Sequence, residues 1–163
     1  MTRDEKLDLI GKFENAYRVI DELIEGIPEE GLRFVPALSE AWSINDHLAH
    51  ILDADTVVYF RLRVAIAEPG YEIPVWNEEA WCAKLCYGAE DGKRCIELAK
   101  GLRSTVASSL RALIDEEWTS YWIKHPSRGR IRLEELLEAY RDHVAFHVPF
   151  IKRNRDAFRV RES

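Results

Sequence analysis

Residues 41–55 read Ala41-Trp42-Ser43-Ile44-Asn45-Asp46-His47-Leu48-Ala49-His50-Ile51-Leu52-Asp53-Ala54-Asp55. Ser43 followed three residues later by Asp46 has the form of a capping box, with Asp in place of the usual Glu, and predicts a helix beginning near Ser43. Ile51, Val58 and Leu62 carry its apolar face to about residue 67, where Pro69 and Gly70 end it. On the N-terminal side, Leu7, Ile10, Phe13, Tyr17, Ile20, Leu23 and Ile24 recur at spacings of three and four and predict one helix over residues 2–26. Residues 27–41, with two prolines and no period, read as a loop.

On the C-terminal side, residues 68–90 look irregular apart from a short helix near 78–85. A third long helix is predicted over 91–114, with Cys95, Leu98, Leu102, Val106, Leu110 and Leu113 on one stripe. Residues 118–129 read as an extended, turn-containing connection. A fourth helix over 132–158 presents Leu133, Leu136, Leu137, Tyr140, Val144 and Ile151. Pro149 removes the hydrogen bond to the Ala145 carbonyl and predicts a kink. Four long amphipathic helices without a strand series predict an all-α four-helix bundle, a single domain over residues 1–163.

Of the 163 residues, 47% are apolar and 32% charged, enough for a sizeable core with a solvated surface. The net charge of −6 argues against a nucleic-acid surface, which needs a lysine- and arginine-rich patch. Lys152, Arg153 and Arg155 read instead as a solvated helix end. Neither a signal peptide nor an apolar run long enough to span a bilayer is visible, so a cytoplasmic, membrane-free protein is expected. The three cysteines include no Cys-x-x-Cys pair. Cys82 and Cys86, four apart on one predicted helix face, would combine with Cys95 in a zinc site. Free cysteines more often serve as small buried hydrophobes, and that reading is preferred.

The histidines carry the chemistry. His143 and His147 lie four apart and project from one helix face, a spacing that presents two imidazoles to one metal. His50 lies mid-helix in the second long element, and a bundle can bring its second and fourth helices together. Three imidazoles leave a coordination position open, as in catalytic zinc sites. Asp53 is placed to orient His50. His47 rivals His50 for the ligand role, offset from it by about 60° around the helix.

The stretch from Ala41 to Asp55 resembles the signature of the DinB/YfiT-like superfamily, in which a tryptophan and a capping Ser or Thr precede the second helix. The histidine eight residues after the tryptophan is a metal ligand in that family, and His50 stands there. His143 and His147 match its other two ligands. His125-Pro126-Ser127-Arg128-Gly129 with Leu133-Glu134-Glu135-Leu136-Leu137 resembles its run into the last helix, and Ile27-Pro28-Glu29-Glu30-Gly31-Leu32 its first connection. The resemblance implies a four-helix bundle, often a homodimer, with a three-histidine divalent metal site. Zinc or nickel suits the imidazoles best, with iron or manganese as further choices. Its implied activity is hydrolysis or thiol S-transfer on a small-molecule substrate, the latter with a low-molecular-weight thiol. Asp53 and His47 are then the candidates to orient ligands or move protons. The alternative is a non-catalytic ligand-binding or regulatory bundle. Val148-Pro149-Phe150 departs from the family's pattern after the last histidine, and Phe150 predicts a more apolar pocket beside the metal.

Overall fold

The computed structural model describes residues 1–39 and 41–162. Helix α1 (Arg3–Glu14) opens with a capping box between Thr2 and Glu5. The first helix expected over 2–26 is in fact two. Asn15 closes α1 by placing its amide on the Gly11 carbonyl at 2.8 Å, and α2 (Arg18–Ile24) resumes after a turn. Periodicity missed the break because Tyr17, Ile20, Leu23 and Ile24 remain buried beyond it. The expected loop that follows contains a short helix, α3 (Glu29–Arg33).

Helix α4 (Ile44–Ala67) begins at Ser43 with the predicted capping box to Asp46. Helix α5 (Glu78–Lys84) is capped by Asn77, and α6 (Gly92–Ala112) by Asp91. The buried face of α6 keeps Cys95, Val106 and Leu110 of the predicted stripe. Leu98 is 52% exposed, whereas Ile96, Ala99 and Arg103 are buried. The aromatic connection folds as a hairpin of β1 (Trp122–His125) and β2 (Gly129–Arg132), with Trp122 opposite Arg132 and His125 opposite Gly129. Gly129 takes φ +70°, which closes the three-residue turn without a Cβ penalty. Trp118 is core, donating its indole N–H to the Leu113 carbonyl at 3.0 Å. Helix α7 (Leu133–Glu162) runs through Pro149 without interruption of its helical assignment.

The four long helical elements make a bundle with crossed connections. Helix α4 packs on α6 and α7, and α1 packs on the same two, so α1 and α4 lie on a diagonal. Helix α4 thereby lies directly against α7, the arrangement that a site shared between them requires. No helix among the described residues is long and apolar enough to cross a membrane.

At the bundle centre stands an ion pair. Arg103, 1% exposed, grips Asp55 through Nε and Nη2 at 2.6 and 2.7 Å. Its other N–H groups donate to the Phe13 and Tyr140 carbonyls, both at 2.9 Å. The Tyr17 hydroxyl donates to Asp55 at 2.5 Å, and the guanidinium lies 4.4 Å from the Phe13 ring centroid. Removing one member strands the other in a low-dielectric interior. Asp55→Ala is therefore expected to cost about 3–5 kcal/mol in urea denaturation. A loss below about 1 kcal/mol, the scale of an exposed pair, would contradict the pair's central place.

Candidate metal centre

Helix α4 carries His47 and His50, and α7 carries His143 and His147. The offset between His47 and His50 does not send one of them outward. His50 is 1% exposed, His147 4% and His47 6%, while His143 is half-buried. One nitrogen each of His50, His143 and His147 lies within 4.8 Å of the other two. His143 Nε2 stands 3.2 Å from His50 Nε2 and 3.2 Å from His147 Nε2. A tetrahedral ion held at about 2.0–2.1 Å by imidazoles separates its nitrogens by about 3.3–3.4 Å, close to the two separations made by His143, with the third held within 4.8 Å.

Proton bookkeeping supports the fit. Each neutral imidazole has one N–H and one in-plane lone pair. His143 Nε2 faces two other ring nitrogens and can either donate to one or accept from one. The second contact then has no matching partner, and a cation facing three lone pairs removes that conflict. For His147 Nε2 to offer its lone pair, the proton must sit on Nδ1. His147 Nδ1 lies 3.0 Å from His47 Nδ1, within reach for His47 to accept such a proton. His47 thus touches the trio as a partner of His147, not as a rival to His50.

Surroundings keep these rings uncharged. Burial holds His47 down at about 4, with help from His50 and Arg153. Burial likewise lowers His143 to about 4, aided by His50 and Arg103. His147 falls to about 2 through burial and then through its histidine neighbours. Burial also lowers His50. Neutral imidazole is the form that ligates a metal. Trp76 stacks on His50 at 6.0 Å between centroids, Trp42 meets it edge-on at 5.2 Å, and Phe150 stacks on His47 at 5.7 Å.

Helix α5, close to the short helix expected near 78–85, brings two further groups to His50. Glu78 and Cys82 lie one turn apart and approach the two nitrogens of His50. Glu78 Oε1 is 3.4 Å from Nε2, and Cys82 Sγ is 3.7 Å from Nδ1. Asp53, expected to orient His50, accepts a 2.7 Å bond from the Tyr87 hydroxyl and acts on His50 through its charge. That hydroxyl lies 4.0 Å from Cys82 Sγ, so Asp53 sits behind the thiol. Burial raises the Asp53 pKa. The cysteines form no metal-ligating group among the described residues, although Cys82 packs against the small cluster that holds Cys95. Helix α5 ends before Cys86, which is exposed, and Cys95 is buried beside Ala49 and Tyr87. No spacing rule picks out Glu78, because its relation to His50 is purely tertiary.

Comparison with known proteins finds similar chains described as candidate metal-dependent hydrolases. A protein of Oceanobacillus iheyensis named as a candidate metal-dependent hydrolase is 26% identical over 144 residues, covering 87% of this chain and 81% of that protein. YfiT from Bacillus subtilis, described as a candidate metal-dependent hydrolase with an unusual four-helix-bundle topology, superposes with a TM-score of 0.82. That match covers 94% of this chain and 87% of YfiT at 21% identity, and it speaks for the fold. The family model of the DinB superfamily matches residues 12–151. With that match spanning most of the sequence, this chain belongs to the DinB superfamily.

Proposed function

We propose that this protein is a metal-dependent hydrolase of a small molecule, with one divalent ion held by His50, His143 and His147. The observation that carries this reading is the convergence of three largely buried imidazole nitrogens beside the Glu78 carboxylate. A divalent ion there, zinc or nickel by its donor set, would supply Lewis acidity and make a neighbouring water more acidic. The chain's own groups do the rest. His47 fixes the tautomer of His147 through the Nδ1 contact. Cys82 packs against His50 Nδ1 from α5. Glu78 Oε1, on the ligand-nitrogen side of His50, is placed to take a proton from the nucleophile. Asp53, tethered by Tyr87, anchors this arrangement from behind. Trp42 and Trp76 shield the rings from water. The names of the Oceanobacillus protein and YfiT favour hydrolysis over thiol transfer. Transfer of a thiol would call on the same proton acceptor.

Elemental analysis of purified, zinc- or nickel-loaded protein is expected to find near-stoichiometric metal. His143→Ala with His147→Ala should abolish it, and His47→Ala should weaken affinity by about 10–100-fold. Wild-type protein that stays metal-free after loading would sink the proposal. Glu78→Gln is expected to keep its metal while slowing hydrolysis of p-nitrophenyl acetate by about 100-fold or more. Unchanged turnover would remove Glu78 from the proton path.

Acid sensitivity follows from the neutral cluster. An unfolded histidine takes up a proton near pH 6.5, whereas folded His47 and His143 resist until about 4. As pH falls, the unfolded chain binds protons first, so stability is full above about 6.5 and declines towards about 4. Urea midpoints of chelator-treated protein between about pH 7.5 and about pH 4.5 should show this decline. The His143→Ala, His147→Ala variant should show a shallower one, and a flat wild-type profile would contradict the buried neutral cluster.

A further inference from the structure

Beside the histidines lies a cavity of about 270 Å³, lined in part by His143, Arg61 from α4 and Arg128 from the hairpin turn. Neither arginine makes a salt bridge among the described residues, although the charge of Arg128 acts on Glu135 across the cavity. Arg61 donates one N–H to the Tyr140 hydroxyl at 2.8 Å, a neutral acceptor that fixes the guanidinium while leaving its other donors uncommitted. Both cations bear on His125, which also lines the cavity and is held below its ordinary pKa by burial and then by Arg61 and Arg128.

The acidic residues around the cavity offset this charge only in part, Glu135 lying within reach of the Arg128 charge. Glu135 is committed to Arg132, accepting from its backbone N–H at 2.7 Å and lying 3.3 Å from its Nε. Glu78 is turned towards His50. In a chain of net charge −6, two guanidinium groups that make no salt bridge at one cavity mark a local positive centre. Guanidinium forks match carboxylate and phosphate oxygens in geometry as well as charge.

A second feature adjoins it. Phe60, Val75, Trp76 and Trp81 line a trough of about 390 Å³ that shares Arg61 with the cavity. Phe60, Val75 and Trp81 are exposed despite their size. An apolar surface of this kind next to an anion clamp suits a ligand with a charged end and an apolar body.

We propose that Arg61 and Arg128 clamp the carboxylate or phosphate group of an amphipathic small molecule, whose apolar body lies along Phe60, Trp76 and Trp81. Calling that molecule the substrate rests on the hydrolase reading above, whereas the anion site itself rests on the two arginines. Its distance from His143 is then set by the protein, so the clamp selects which bond of the substrate reaches the histidines.

Isothermal titration calorimetry with 3-phenylpropionate, phenyl phosphate and the neutral 3-phenylpropanamide tests this on zinc-loaded and chelator-treated protein. At least one anion is expected to bind about tenfold or more tightly than the amide in both preparations. The tighter anion identifies the preferred group. Arg61→Gln and Arg128→Gln should each erase most of that preference while keeping wild-type metal content. Equal affinity for amide and anions, or no binding by any probe, overturns the proposal. So does a preference that survives both substitutions, including one that appears only with metal bound, since the anion would then be recognised elsewhere. Failure of the wild type to take up metal defeats the hydrolase reading but leaves the anion preference measurable in chelator-treated protein, so the two failures are separable.

Discussion

Arg103 and Asp55 meet in the middle of the bundle, where neither charge is sustainable alone. Desolvation of such a pair is costly, and the cost is offset only where every remaining donor finds an acceptor. Here the Phe13 and Tyr140 carbonyls and the Tyr17 hydroxyl complete the arrangement. The consequence is positional. One guanidinium ties α6 to α4, to the end of α1 and to α7, and it does so with directional bonds that an apolar core lacks. Apolar packing would tolerate a helix sliding by part of a turn, but this network would not. Tyr140, whose carbonyl it holds, lies one turn before His143. The register of α7 against α4, and hence the meeting of His143 and His147 with His50, follows from that constraint.

The features legible in the sequence are local ones. Ser43 and Asp46 announce the start of α4 because a capping box is made by residues three apart. His143 and His147 announce a shared face because four residues make about one turn. The choice of His50 came from resemblance to the family, and the structure adds that His47 is buried as well. What escaped depends on partners distant in sequence. Asn15 breaks the first helix without disturbing its apolar spacing. Arg103 carries no local sign of burial, and only its pairing with Asp55 brings it into the buried face of α6 while Leu98 of the predicted stripe is exposed. Glu78 and Cys82 sit in a segment with little pattern, and only the packing of α5 over His50 gives them meaning.

Tyr140 joins the structural and chemical halves of the molecule. Its carbonyl accepts from Arg103, its hydroxyl accepts from Arg61, and its ring meets His143 edge-on at 6.3 Å. Burial raises its pKa, so the hydroxyl stays neutral and leaves the positive charge of Arg61 uncancelled. The long helices thus place the histidines with the precision of a packed core. The short α5 and the hairpin turn bring Glu78 and Arg128 to the same opening from elements that make few contacts with the bundle. Such a division separates two demands. Imidazoles that share an ion tolerate little displacement, whereas groups that meet a substrate benefit from lying on connections that can vary without disturbing the core. A change of substrate would then be written in α5 and the hairpin, with Arg103, Asp55 and the histidines left in place.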